Sequence, residues 1–408
     1  MTIPAHRPQT PDGFDWPPGF LFGASTSPHQ VEGNNVSSDW WVREHSGNPG
    51  PIPITEPSGD AVDHFHRWPE DMDLLRDLGF NAYRFGIEWA RIEPEPGNIS
   101  RAMLEHYRGM IRGAVERGLT PVVTLHHFTS PHWFAARGGW LAPDAADVFA
   151  NYAAVVAEIL GEGVEYVATI NEPNMITLVN GLMAPDGDTP DVPTMAALVP
   201  HQPSTDALIR AHKAAVKAVK AVHPHLKLGW TIASQVFQAE PGAEAEAAAY
   251  AWPREKVFLD VSRDDDWVGV QSYSRTRLGK DGPIPHAEDT PRTLVGLEYY
   301  PPALGEAVRQ TAAVVGPDVA ILVTENGIAA DDDTQRIAYT TGALEGLAAA
   351  SADGIDVRAY LHWSALDNYE WGSYHFTFGL IHVDRASFAR TPKPSAYWLG
   401  GIARELNS

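Results

Sequence analysis

Two glutamates stand at the ends of apolar runs, each beside an asparagine: Glu172 in TINEPN and Glu325 in LVTENG. They are so far apart along the chain that only tertiary closure can make them partners. A single glutamate in such a place is more often half of an ordinary ion pair, but the repeated context shifts that reading. Paired carboxyls are the equipment of glycoside hydrolysis, where one protonates the leaving oxygen while the other attacks the anomeric carbon or activates water. Other polar and aromatic residues close similar runs, namely Gln30, Arg84, His127, Asn171, Gln271, Tyr273, Asn326 and Trp363. Amides, a histidine and flat rings can bond and stack on a hydroxyl-rich ring.

Positioning these residues requires elements that end at a common place. Short apolar runs at 20–25, 81–87, 120–127, 167–173, 226–233, 267–273, 319–326 and 357–363 alternate with segments of helical period, such as Pro69–Leu78, Ala102–Arg117, Pro143–Leu160, Thr205–Val222, Ala303–Val314 and Thr334–Ala350. Continuous apolar runs suit parallel strands covered on both faces. Eight of them predict a closed (β/α)8 TIM barrel, with the site at the C-terminal ends of the strands. The rival is an open doubly wound sheet, which would place a Gly-rich phosphate loop after the first strand. The segment there, GASTSPHQVEG, has no such fingerprint. Without an internal repeat or flexible linker, residues 1–408 are expected to form one catalytic domain with an irregular tail over 1–17. Pro/Gly-rich stretches at 183–203 and 274–302 fall after the fourth and sixth strands, at the predicted mouth.

Composition narrows the chemistry further. The 408 residues carry 30 Lys+Arg against 52 Asp+Glu, a formal charge of −22. That excess disfavours binding to nucleic-acid phosphates or to an anionic membrane surface. The chain has no cysteine, which removes disulfides, thiolate metal sites and cysteine nucleophiles together. No run reaches the roughly 18 apolar residues of a membrane span, and the N-terminus lacks the apolar core of a signal peptide. A cytoplasmic protein is expected, with oligomeric state left open. His64-Phe-His66 and His126-His127 resemble fragments of barrel metal sites. The first pair, however, is expected to precede the first helix, and adjacent strand residues point to opposite sides. Neither a metal nor another cofactor is expected.

Taken in order, FLFGASTSPHQVEG, EDMDLLRDLGFNAYRFGIEWARIEP, TPVVTLHHFTSPHWFAARGGW, NEP, TENG, WSALDNYEW, FGLIHVD and RTPKPSAYW span nearly the whole chain. In these motifs it resembles glycoside hydrolase family 1, the β-glucosidase-type enzymes. The resemblance implies a retaining mechanism with Glu325 as nucleophile and Glu172 as general acid/base. Arg84 and Tyr273 match groups bordering the nucleophile. Gln30, His127, Asn171, Glu370 and Trp371 match the set that binds the non-reducing sugar, with Trp363 beneath it and Asn171 on the 2-hydroxyl. Arg84 is expected to keep Glu325 ionised, and the Glu325 charge to raise the pKa of Glu172. A carboxylate at Glu370 implies an unphosphorylated sugar, β-D-glucose first, with fucose or galactose tolerated.

Several positions depart from the family pattern. His126-His127-Phe128-Thr129 stands where relatives commonly have Tyr-His-Trp-Asp, and Gln271-Ser272-Tyr273 replaces Asn-Tyr-Tyr. The stretch from Trp371 to Gly379 is one residue shorter than usual, so the rim is expected to be reshaped. A transglycosidase using the same intermediate and a sugar-binding pseudoenzyme are the alternative readings.

Overall fold

A computed structural model describes residues 16–47, 53–161, 163–183 and 196–406. Nearly all of the expected tail over 1–17 and most of the 183–203 stretch lie outside the described residues. Eight parallel strands close on themselves: β1 (Leu21–Ser25), β2 (Ala82–Gly86), β3 (Thr120–Thr124), β4 (Tyr166–Asn171), β5 (Lys227–Ala233), β6 (Trp267–Gln271), β7 (Ala320–Glu325) and β8 (Val357–Trp363). Closure is made where β1 pairs with both neighbours, Ser25 lying opposite Trp363 on β8 and opposite Arg84 on β2. Seven of these eight strands fall inside a run expected from the sequence, and β4 begins one residue before its run at 167–173.

Helices cover the outside because their apolar residues recur on one face. In Ala145–Ala157 the buried positions include Phe149, Tyr152, Ala153 and Val156, a spacing of three and four. Arg101–Glu116 buries Leu104, Tyr107, Ile111 and Ala114, and Ser100 accepts from the Met103 amide at its start. The first long helix is His64–Leu78, which begins earlier than the expected Pro69. His64 and His66 therefore lie in its first turn and not ahead of it. His64 is buried and bonded to Asp71 Oδ2 at 2.7 Å and to the Tyr83 hydroxyl at 3.1 Å, a structural bridge between helix and barrel. The expectation also lacked the helices Pro173–Met183 and Pro394–Leu406 and the short helices between β5 and β6.

The barrel interior changes character along its axis. Toward the N-terminal ends, Val122, Tyr166, Ala168, Trp267, Leu322 and Leu361 form a buried apolar plug. Above it, alternation along the strands brings Ser25, Arg84, Thr124, Thr231 and Gln271 inward. Two register shifts near the C-terminal ends break that alternation, between Ala168 and Asn171 on β4 and between Val323 and Glu325 on β7. Such irregularities re-aim the side chains that follow them. They fall just before the two segments that carry the carboxyls.

Close strand approach also fixes small residues. A Cβ on Gly23 would lie 2.0 Å from the Ala82 carbonyl oxygen, whereas one on Gly109, within Arg101–Glu116, would come no nearer than 4.0 Å to Trp68. Gly23→Ala should therefore destabilise by about 2–3 kcal/mol through forced separation of β1 and β2. Gly109→Ala should be neutral or stabilise by up to about 1 kcal/mol. Guanidinium unfolding of the two variants measures both, and equal responses would contradict the packing argument.

Candidate active site

At the C-terminal ends of the strands lies a cavity of about 1160 Å³, into which Glu172, Tyr273, Glu325, Trp363, Glu370 and Trp371 project. Its floor is organised by Arg84. That guanidinium is fully buried on β2 and divides its donors among three strands. Nη1 donates to Glu325 Oε1 at 2.6 Å, Nη2 to Asn171 Oδ1 at 2.6 Å and Nε to Thr124 Oγ1 at 3.1 Å. Gln271 adds a second tie, its amide nitrogen donating to both Glu325 Oε1 and Asn171 Oδ1 at 2.8 Å. The Tyr273 hydroxyl donates to the other carboxylate oxygen, Glu325 Oε2, at 2.7 Å. Thr231 completes the set around Asn171 Oδ1 at 2.9 Å.

Glu172 lives in a different environment. Its backbone is left-handed (φ 43°), its amide donates to Thr231 O at 2.8 Å, and the helix Pro173–Met183 starts immediately after it. Its carboxyl accepts no hydrogen bond from any described residue. Burial, reinforced by the charge of Glu325, raises the Glu172 pKa well above the ordinary carboxylate value, against a smaller lowering by Arg84. Burial also raises Glu325, although Arg84 and Tyr273 pull it down. Arg84 thus acts on Glu325 in the expected direction, while enclosure raises the pKa against it. The pair nonetheless remains unequal. Glu325 has three side-chain donors and Glu172 none, so the proton belongs on Glu172.

A second cluster forms one side of the cavity. Gln30 lies on the helical turn Pro28–Val31 directly after β1 and not at a strand end. Its amide nitrogen donates to Glu370 Oε2 at 3.0 Å, and Ser27 holds its oxygen at 2.7 Å. The Trp363 indole donates to Glu370 Oε1 at 3.1 Å. Burial pushes the Glu370 carboxyl up to about 8, with Glu325 adding to the rise and the bonds from Trp363 and Gln30 opposing it. The His127 ring lies nearly parallel to those of two tryptophans, 5.9 Å from Trp363 and 6.3 Å from Trp371. Burial and the nearby Arg84 charge hold His127 well below the usual histidine range, so it is neutral, and its Nε2 accepts from the Asn171 amide nitrogen at 3.2 Å. Phe128 and Trp371 join Glu172 in having left-handed backbones, φ 66° and 49°. Strained conformations of non-glycine residues gather where a pocket dictates side-chain direction.

Of the candidates taken from the sequence, Asn326 alone turns away. Its amide nitrogen donates to Ser272 O at 2.7 Å, and its oxygen accepts from Tyr360, so it braces the strand ends from behind. His126 likewise points outward, bonded to Ser130 and packed edge-on against Trp140. Thr124, Thr231, Ser27 and Asn368 were missed, although all but Thr231 lie within a few residues of a recognised position. The two threonines carried one usable signal, being hydroxyls at inward positions of otherwise apolar strands. Among the described residues, no group of three or more His, Asp and Glu side chains could hold a metal ion.

A closed (β/α)8 barrel with a buried, unequal carboxyl pair and a wall of amides and aromatic rings has the makings of a carbohydrate-cleaving hydrolase. Comparison with known proteins makes the class specific. The sequence profile described as glycosyl hydrolase family 1 matches residues 14–261 and 260–407. A bifunctional β-D-glucosidase/β-D-fucosidase of Bifidobacterium breve is 30% identical, with 94% of this chain and 97% of the relative aligned. The crystal structure of β-glycosidase BGL167 superposes with a TM-score of 0.87 at 44% identity, covering 96% of this chain and 97% of that one. The Thermotoga maritima β-glucosidase in complex with deoxynojirimycin gives 0.86 at 27% identity over 97% and 99% of the two chains. The chain belongs to glycosyl hydrolase family 1 and is a glycoside hydrolase.

The geometry fixes a sign for one titration. Tyr273→Phe removes a donor that stabilises ionised Glu325, so that carboxyl should titrate at higher pH than in the parent protein. Carbon-13 NMR of labelled glutamate side chains reads the shift. An unchanged or lower value would show that the phenol does not act on Glu325.

Proposed function

We propose that the protein is a retaining β-glycosidase, chiefly a β-glucosidase. It would release terminal, non-reducing, unphosphorylated β-D-glucosyl residues and also accept β-D-fucosyl or β-D-galactosyl residues. The whole chain acts as one catalytic domain. The observation that carries this reading is the unequal pair in one cavity, Glu325 held by Arg84, Gln271 and Tyr273, and Glu172 left without a donor.

In the first step Glu325 attacks the anomeric carbon while protonated Glu172 gives its proton to the glycosidic oxygen, and the alcohol leaves. Glu325 is then an ester and has lost its charge. The repulsion that raised the Glu172 pKa disappears with it, so Glu172 becomes the base that deprotonates water. Attack of that water on the anomeric carbon frees the sugar with its original configuration and restores Glu325. The Asn171 oxygen is already occupied by Arg84, Gln271 and Thr231 and one amide hydrogen by His127, which leaves the second amide hydrogen for the 2-hydroxyl. His127, neutral and stacked on Trp363, supplies a further polar edge beside the sugar.

Glu370 bears on the glycone. Its two oxygens are held by Gln30 and Trp363, both neutral donors, and retain lone pairs for the hydroxyls of a hexose. No Lys or Arg is among its described hydrogen-bond partners, so none of those partners offsets a phosphate dianion. The name of the Bifidobacterium relative supports glucose with fucose, and the sugar-mimic complex of the Thermotoga enzyme supports a monosaccharide at the base of the pocket.

Two substitutions separate the roles. Glu325→Gly should lose at least about 10⁴-fold in kcat on an aryl β-glucoside. Added azide should then restore turnover with inversion at the anomeric carbon, and a rescued product of retained configuration would remove Glu325 from its role. Glu172→Ala should slow cellobiose hydrolysis far more than that of 2,4-dinitrophenyl β-glucoside, because only the poor leaving group needs a proton. Equal losses in kcat/KM on both substrates would contradict the assignment.

A further inference from the structure

Glu370 and Trp371 are consecutive in the chain, and so are two residues that support them. Gln30 donates to Glu370 Oε2 at 3.0 Å, and the Tyr369 amide donates to Gln30 O at 3.2 Å. His29, the residue before Gln30, lies parallel to the Trp371 indole, with ring centroids 5.9 Å apart and planes 6° from parallel. That geometry is an offset stack. Trp371 lines the cavity, whereas His29 is 1% exposed and is not one of the lining residues. Any effect of His29 on a ligand must therefore pass through the indole.

The imidazole is pinned at both nitrogens. Asn35 Nδ2 donates to its Nδ1 at 3.2 Å, and its Nε2 donates to Glu44 Oε1 at 3.0 Å, with the His29 and Glu44 side chains both sealed from water. Glu44 Oε2 accepts from the Ser58 amide and hydroxyl at 3.0 and 2.7 Å. Burial would raise the Glu44 carboxyl, but the bond and charge of His29 and the bonds from Ser58 outweigh it and hold the carboxyl below its ordinary value. The segment that ends at Ser58 also anchors the backbone beside the indole, since Thr55 N and Oγ1 donate to Gly372 O at 2.8 and 2.7 Å. Trp371 needs such anchoring because its left-handed backbone, φ 49°, is unfavourable for a residue with a side chain. Trp40 and Phe128 meet the indole edge-on at 5.0 and 5.1 Å, which limits sliding but leaves its tilt to the parallel rings. Of those, His127 itself lines the cavity, and His29 is held from outside it.

We infer that His29, held by Glu44 and Asn35, is a positioning residue for Trp371: its ring fixes the plane of the indole and thereby sets the affinity for the sugar that Trp371 faces. The inference rests on the β-glycosidase reading, since Trp371 must face a sugar for its plane to matter.

The test is calorimetric binding of deoxynojirimycin, a sugar mimic without an aglycone, alongside kinetics on 4-nitrophenyl β-glucoside. His29→Gln keeps a polar group near Glu44 but removes the ring. It should raise the dissociation constant and KM together by about 3- to 10-fold, with kcat within about twofold of the parent. A merely structural histidine would lower the active fraction instead, cutting kcat and leaving both constants unchanged. His29→Phe/Glu44→Gln restores a flat ring without stranding a buried carboxylate, and should bring both constants back to within about twofold of the parent. Unchanged constants in His29→Gln, or a loss that the phenylalanine variant does not recover, overturn the inference. Turnover of 4-nitrophenyl β-glucoside by the parent protein tests the underlying reading separately, so good parent turnover with unmoved constants in His29→Gln would sink only the role of His29.

Discussion

The buried guanidinium of Arg84 is the interaction on which the rest of the site depends. A carboxylate at the centre of a barrel is costly in so poorly solvated a place unless it is paired and hydrogen-bonded. Arg84 provides the charge for Glu325 and at the same time takes the oxygen of Asn171 and the hydroxyl of Thr124. Its planar fork can serve three strands at once, which a point charge on a flexible stem could not do with the same geometry. Strand positions and electrostatics are therefore set by a single side chain. Gln271 reinforces it by spanning the same two acceptors, so the substituted Gln-Ser-Tyr segment still delivers an amide to the floor and a phenol to Glu325.

Around that fixed charge the remaining carboxyls differ by what surrounds them. Glu325 has strong donors, Glu370 has two neutral ones, and Glu172 has none from the described residues. All three are raised by burial, and the charge of Glu325 adds to the rise of the other two. Their titrations are consequently linked, and an observed pH profile belongs to the cluster more than to any member. His127, packed near Trp363 and Trp371, stays neutral beside Arg84 and so adds no second cation to the pocket.

The altered loop after β3 has its own internal logic. Thr129 stands where relatives commonly carry an aspartate, and its hydroxyl donates to Glu88 Oε2 at 2.8 Å. A carboxyl thus reaches this place from the segment after β2, and burial pushes it up to about 7. Phe128, in place of the usual tryptophan, sets its ring edge-on to Trp371 at 5.1 Å.

The sequence by itself determined the eight strands, because parallel strands covered on both faces must be written as apolar runs, and it determined which polar residues close them. It located Glu172 and Glu325 through their shared setting beside asparagine. It could not determine which side of a strand each residue faces once alternation fails. Strict alternation from Leu322 and Thr324 would turn Glu325 outward, and the register shift on β7 returns it to the barrel; the shift on β4 does the same for Asn171. Those shifts depend on pairing with two neighbouring strands drawn from distant parts of the chain. Tertiary structure also decided that Asn326 braces the wall from behind, that Gln271 ties Glu325 to Asn171, and that enclosure outweighs Arg84 in setting the Glu325 pKa. Burial and hydrogen-bond allocation are properties of the closed barrel, and no local pattern of residues encodes them.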